Sequence, residues 1–168
     1  MAEQEYRVVP PGFTRDQWGQ FMEDGYLILE DALSDDEVDH YLELIDGRCA
    51  EDPKFDAGKF YGPNNIVQRF PEFSDLIDHP RHLGSVYDVY GELLKLHISQ
   101  LFVRPRDTSH NAWHPDGPRA LPYGVLAPEL PMHIEIPYWL TDVPEPGMGN
   151  FVCMPVWGRM WRAIEGNV

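Results

Sequence analysis

The sequence predicts a mainly β domain with helices at its N-terminus, either α+β or an all-β core decorated with helices. Three observations predict it. Helix signals cluster before residue 93 and strand signals follow it. A long apolar alternation runs from Leu93 to Pro105. The chain carries 16 prolines and 14 glycines in 168 residues. That load disfavours a helical bundle, because proline fits neither helix interiors nor central strands.

Taken in order, Thr14 opens T-R-D-Q, a capping box, with Trp18, Phe21 and Met22 at helical spacing behind it. Gly25 stands where a helix stop belongs. Tyr26 to Glu30, Y-L-I-L-E, reads as a short buried strand. Ser34 opens a second capping box, S-D-D-E, with three acidic residues where the helix dipole favours them. Val38, Tyr41, Leu42 and Ile45 form its apolar stripe, and Gly47 is the expected stop. A loop covers residues 51–65, Ile66 to Phe70 is a candidate strand, and Phe73–Asp78 and His82–Tyr90 read as short helices.

From Leu93 both alternating sets are largely apolar, which suits a strand buried on at least one face. Met132–Thr141 and Asn150–Met154 are two further strand candidates. One domain over residues 1–168 is expected, helical to about residue 92 and sheet-forming from about residue 93. This length suffices to bury a core.

Lys and Arg number 13 against 28 Asp and Glu, a formal net charge of −15. A field of that sign repels phosphate, so nucleic acid and anionic membranes are not expected partners. Cys49 and Cys153 lie far apart with no Cys-x-x-Cys spacing, and the plain expectation is two reduced thiols. No signal-peptide or membrane-spanning run is legible, so a cytoplasmic protein is expected.

The chemistry concentrates in W-H-P-D-G, residues 113–117. Iron that binds both a co-substrate and O₂ needs a protein filling only one face of its octahedron, as two histidines and one carboxylate do. His114 and Asp116 offer two of those three ligands. Residues two apart in extended backbone point the same way, so imidazole and carboxylate can converge. Pro115 stiffens the turn and Gly117 permits a tight exit. His-x-Asp alone is a weak pattern, and a solvated His and Asp in a polar loop is its plain reading.

The context carries more. F-M-E-D-G-Y-L-I-L-E-D-A-L-S-D-D-E-V, S-Q-L-F-V-R-P, W-H-P-D-G-P-R and Y-W-L-T-D-V-P-E-P-G-M-G-N-F-V-C-M-P together resemble the phytanoyl-CoA dioxygenase family of non-haem iron oxygenases. The resemblance covers most of the chain. It implies a double-stranded β-helix core (jelly-roll, cupin-like), with His114 and Asp116 as Fe(II) ligands and 2-oxoglutarate as co-substrate. Gln100 matches a polar position that helps line the co-substrate pocket in relatives; its plain reading is an inward polar residue satisfied by backbone. The implied reaction is hydroxylation of a small organic substrate, with 2-oxoglutarate and O₂ consumed and succinate and CO₂ released. Asp116 favours that outcome, since related halogenating enzymes lack the carboxylate.

The family pattern breaks at the end. Relatives continue Pro-Gly-Ser/Thr-His, whose histidine is the third ligand, and an arginine further on clamps 2-oxoglutarate. Here Pro155 matches, but Val156, Trp157 and Gly158 follow, and Arg159 and Arg162 come too early for the clamp. The abrupt change is what a shifted or truncated reading frame produces, giving a partial jelly roll; a short variant with a rearranged site is the other expectation.

Other histidines offer less. His133 and Glu135 make a second same-face pair, and a cupin-like metal-binding module would need them to join His114 and Asp116. A histidine on the wetter face of a sheet is the plain reading of His133, and a solvated loop side chain that of His110. His40, His79, His82 and His97 have no carboxylate arrangement to commend them. Tyr138, Trp139 and Phe151 read as core filling ahead of pocket walls. A non-catalytic fragment, without metal and with an exposed sheet edge, is the alternative to the oxygenase.

Overall fold

The computed structural model describes residues 9–106 and 133–153. They fall into two compact units, the first drawn from 9–32, 77–94 and 151–153, the second from 33–76, 95–106 and 133–150.

In the first unit, α1 spans Arg15–Asp24 and begins as the sequence requires. Thr14 Oγ1 accepts from Gln17 N at 3.2 Å, while Gln17 Oε1 accepts from Thr14 N at 2.9 Å. Phe13 packs edge-on against Trp18 with ring centres 5.5 Å apart, a staple across the helix start. Gly25, at φ 80°, ends the helix in the left-handed conformation. α4 spans Pro80–Tyr90 and buries His82, Gly84 and Val89. Gly84 permits close approach of the lead-in to α1: a Cβ there would stand 2.2 Å from Pro11 O. Asp88 Oδ2 fastens the same contact by accepting from Phe13 N at 2.8 Å.

In the second unit, α2 spans Asp35–Glu51 behind the Ser34 capping box. Tyr41, Ile45 and Cys49 recur every fourth residue and turn one buried stripe inward. They meet Ile66, Phe73 and Leu101 to form the core. α3, Ile66–Arg69, and a 3₁₀ segment, Pro71–Leu76, supply Ile66 and Phe73. The Tyr41 and Phe73 rings stack 6.0 Å apart.

The expected mainly β fold, with its double-stranded β-helix, is overturned. Among the described residues 43% are helical, about 3% are in strand-like pairing, and no sheet forms. Among the described residues, the Leu93–Pro105 segment pairs through two antiparallel bridges, Tyr61 with Val103 and Asn64 with Gln100. The reason lies in the opposing segment. Tyr61 and Val103 exchange both backbone hydrogen bonds at 2.9 Å, but at the next hydrogen-bonded pair Leu101 N donates to Pro63 O and Pro63 has no N–H to return. Asn65 then enters the left-handed region at φ 56° and turns the chain into α3. Two residues from the last bridge, Ile66 N still donates to Ser99 O at 3.3 Å, but the chain is already helical and the ladder ends there.

The apolar alternation has a different meaning from the expected one. Leu101 is buried and Ser99 and Val103 are half-buried, while Ile98, Gln100 and Phe102 are exposed. One face lies on the helical core and the other faces out. Three further strand expectations fail. Tyr26–Glu30 forms no strand among the described residues and ends in a turn at Glu30, with Ile28 71% exposed. The described part of Met132–Thr141 carries no bridge, and Pro137 inside it lacks a donor. No strand includes the described part of Asn150–Met154. Ile66 to Phe70 is helix α3 where a strand was the candidate. Gly47 does not stop α2, which continues one turn further; a helical glycine costs only about 1 kcal/mol, less than the burial of Cys49 returns.

Candidate functional site

His114 and Asp116 lie outside the described residues, as do Trp113, His110 and the segment from Met154 onward that holds Pro155 and Gly158. The surrounding candidates are described, and each has a definite place.

Gln100 stands directly opposite Asn64 in the antiparallel bridge. Directly opposed residues outside the hydrogen-bonded pairs bring their side chains closest. Gln100 Nε2 accordingly donates to Asn64 Oδ1 at 2.5 Å. The side chain is exposed, and its polar partner is this asparagine.

His133 and Glu135, two residues apart, do face the same way: Nε2 and Oε1 are 3.7 Å apart. The His97 ring meets His133 edge-on at 5.4 Å. His97 was not legible as a neighbour of this pair, because the two histidines are far apart in sequence and no shared motif links them. Yet among the described residues no three His, Cys, Asp or Glu side chains are placed to hold a metal ion together. The cupin-like module needs His114 and Asp116 beside this pair, and those two lie outside the described residues.

A cluster of paired charged and polar groups lies elsewhere, at the end of α2. Tyr61 Oη donates to Asp52 Oδ2 at 2.7 Å. Burial, then the hydrogen bond and charge of Asp52, push the Tyr61 hydroxyl up to about 12. The same hydrogen bond, aided by Lys54 N–H and the Arg69 charge, holds the Asp52 carboxyl below its ordinary range. Arg48 and Arg69 both lie over the Phe70 ring, 4.9 and 5.0 Å from its centre. Arg48, Asp52, Arg69 and Phe70 border an open cleft of about 360 Å³. Arg48 is paired with Glu51 and Glu72, and Arg69 approaches Asp52 at 3.9 Å. A tyrosine held protonated and a carboxylate held ionised are poor proton-transfer groups near neutral pH. The cluster joins α2 to the loop after it.

The aromatic candidates divide. Tyr138 is half-buried, and burial, then Tyr41 and Glu37, raises its hydroxyl above the ordinary tyrosine value. Trp139 and Phe151 are exposed. Leu140, next to Trp139, packs on the core, whereas Trp139 and Phe151 do not fill it.

Among the described residues no helix is long and apolar enough to cross a membrane. No protein-family model, curated protein or solved structure matches this chain.

Proposed function

We propose that His114 and Asp116 bind Fe(II), and that the chain is a relative of the 2-oxoglutarate-dependent oxygenases that hydroxylate small organic substrates. The observation that carries this reading is the string W-H-P-D-G-P-R followed by Y-W-L-T-D-V at the family's spacing. The donor set fits the metal: imidazole and carboxylate are ligands that non-haem Fe(II) takes. When bound, iron would supply the activation of O₂ against 2-oxoglutarate. His114 and Asp116 would hold it, and Gln100, which donates to Asn64 Oδ1, would help line the co-substrate pocket. A cytoplasmic setting belongs to the same reading, and both cysteines are free, Cys49 buried and Cys153 exposed.

A second reading has its own observation. Gly158 stands at the position of the third ligand, and the described residues form no sheet where the oxygenases carry their barrel. On that reading the pair is retained in a protein that does not catalyse. Anaerobic Fe(II) titration of the whole chain, beside His114→Ala and Asp116→Ala, tests the first claim. Binding that both substitutions abolish is the expected result; binding equal in all three proteins, or none in the parent, overturns it. Succinate release from 2-oxoglutarate then separates the readings, since iron bound without turnover is the outcome for the non-catalytic protein.

A further inference from the structure

The start of α4 is capped by an imidazole. His79 holds the N-cap position, and its Nδ1 accepts from Arg81 N at 3.4 Å. Only an unprotonated Nδ1 can accept, so this bond specifies the neutral ring. One turn on, His82 Nε2 lies 3.2 Å from Ile77 O, where it donates. The two rings lie nearly parallel, 19° apart in plane with centres 6.4 Å apart. Both residues are buried, His79 at 9% exposure and His82 at 5%. Serine, threonine, aspartate and asparagine are the usual caps, and none of them gains positive charge near neutral pH.

We propose that His79 and His82 form an acid-sensitive latch that holds the first turn of α4 closed at neutral pH and releases it under mild acid. Protonation of His79 converts the capping acceptor into a donor that faces the Arg81 N–H. It also places positive charge at the positive end of the helix dipole. Protonating His82 adds a second buried cation beside the first. Among the described residues, the charged groups that act on His82 are His79, which opposes its protonation, and Asp78, which favours it. Burial dominates both and lowers the His82 value from 6.5. Arg81, in the same turn, sends its guanidinium to Glu30 O at 2.7 Å, so release of this turn also frees residue 30.

The sign follows from linkage. His82, whose folded value burial depresses, contributes stability that is present above pH 6.5 and lost as pH falls toward the folded value. At His79 the release follows from the bond itself, because a protonated Nδ1 cannot accept from Arg81 N. The latch therefore opens on acidification.

Amide hydrogen exchange of the full chain at pH 7.5 and pH 5.0, corrected for intrinsic rates, reads this directly. The Arg81–Leu83 amides should lose protection by about fivefold or more, the equivalent of one helix cap. α1 contains no histidine and serves as internal reference. His79→Ser keeps a capping oxygen that does not change charge, so the pH-dependent loss should shrink to the part that His82 contributes. Should that variant not fold, His79→Asn asks the same question. Unchanged protection in the parent at pH 5.0, or a full pH effect in the cap-retaining variant, overturns the proposal.

Discussion

Gln100 and Asn64 face each other across an antiparallel bridge, and the glutamine amide donates to the asparagine carbonyl oxygen at 2.5 Å. The pair closes the short stretch of pairing before Asn65 turns into α3. A cross-strand polar pair of this kind contributes roughly 0.2–1 kcal/mol. Single changes, Gln100→Ala and Asn64→Ala, should each destabilise the protein within that range, and the double change should cost less than their sum. Denaturant unfolding of the four proteins measures the coupling. Strict additivity would show that the two amides act separately.

Phe73 and Ile28 give the sharpest contrast among the apolar residues. Phe73 is 2% exposed and stacks on Tyr41, whereas Ile28 is 71% exposed. Phe73→Ala removes a ring from a packed core and should cost about 3–5 kcal/mol. Ile28→Ala should change stability by less than about 0.5 kcal/mol, because the side chain is already in water. Equal losses at the two positions would mean that Tyr26–Glu30 is buried after all, as its apolar pattern suggested.

That contrast shows where the sequence was a good guide. Thr14 with Gln17 and Ser34 with Glu37 are legible because each capping box is a contact between residues three apart. The α2 stripe was legible for the same reason, since helical periodicity is local. Strand pairing is not local. Leu93–Pro105 has the alternation of a strand, but whether it joins a sheet depends on what lies beside it, and Pro63 and Asn65 limit that pairing. Ile66–Phe70 is ambiguous for a related reason: a short apolar run fits either state, and the left-handed Asn65 before it sets the turn. At the candidate site, His133 and Glu135 were legible as a pair from their spacing of two. Their neighbour His97 was not, because only the tertiary fold brings it near.

Tyr61 and Asp52 share the proton that gives the clearest pH signature. The Tyr61 hydroxyl is raised from 10.0 to about 12, so the folded protein keeps this proton after the unfolded chain has lost it. Its contribution to stability is therefore fully present below pH 10 and is lost as pH rises from 10 to about 12. Asp52 works in the opposite direction. Its carboxyl is lowered from 3.8, so its contribution is present above that value and is lost as pH falls below it. Tyr61→Phe keeps the ring, which meets Phe55 edge-on at 5.3 Å, and removes only the hydroxyl. The variant should be less stable than the parent at pH 8, and the gap should close between pH 10 and 12. Unfolding midpoints of both proteins across that range read the difference and cancel the titration of the remaining tyrosines. A gap that stays constant from pH 8 to pH 12 would show that the hydroxyl does not hold its proton through Asp52.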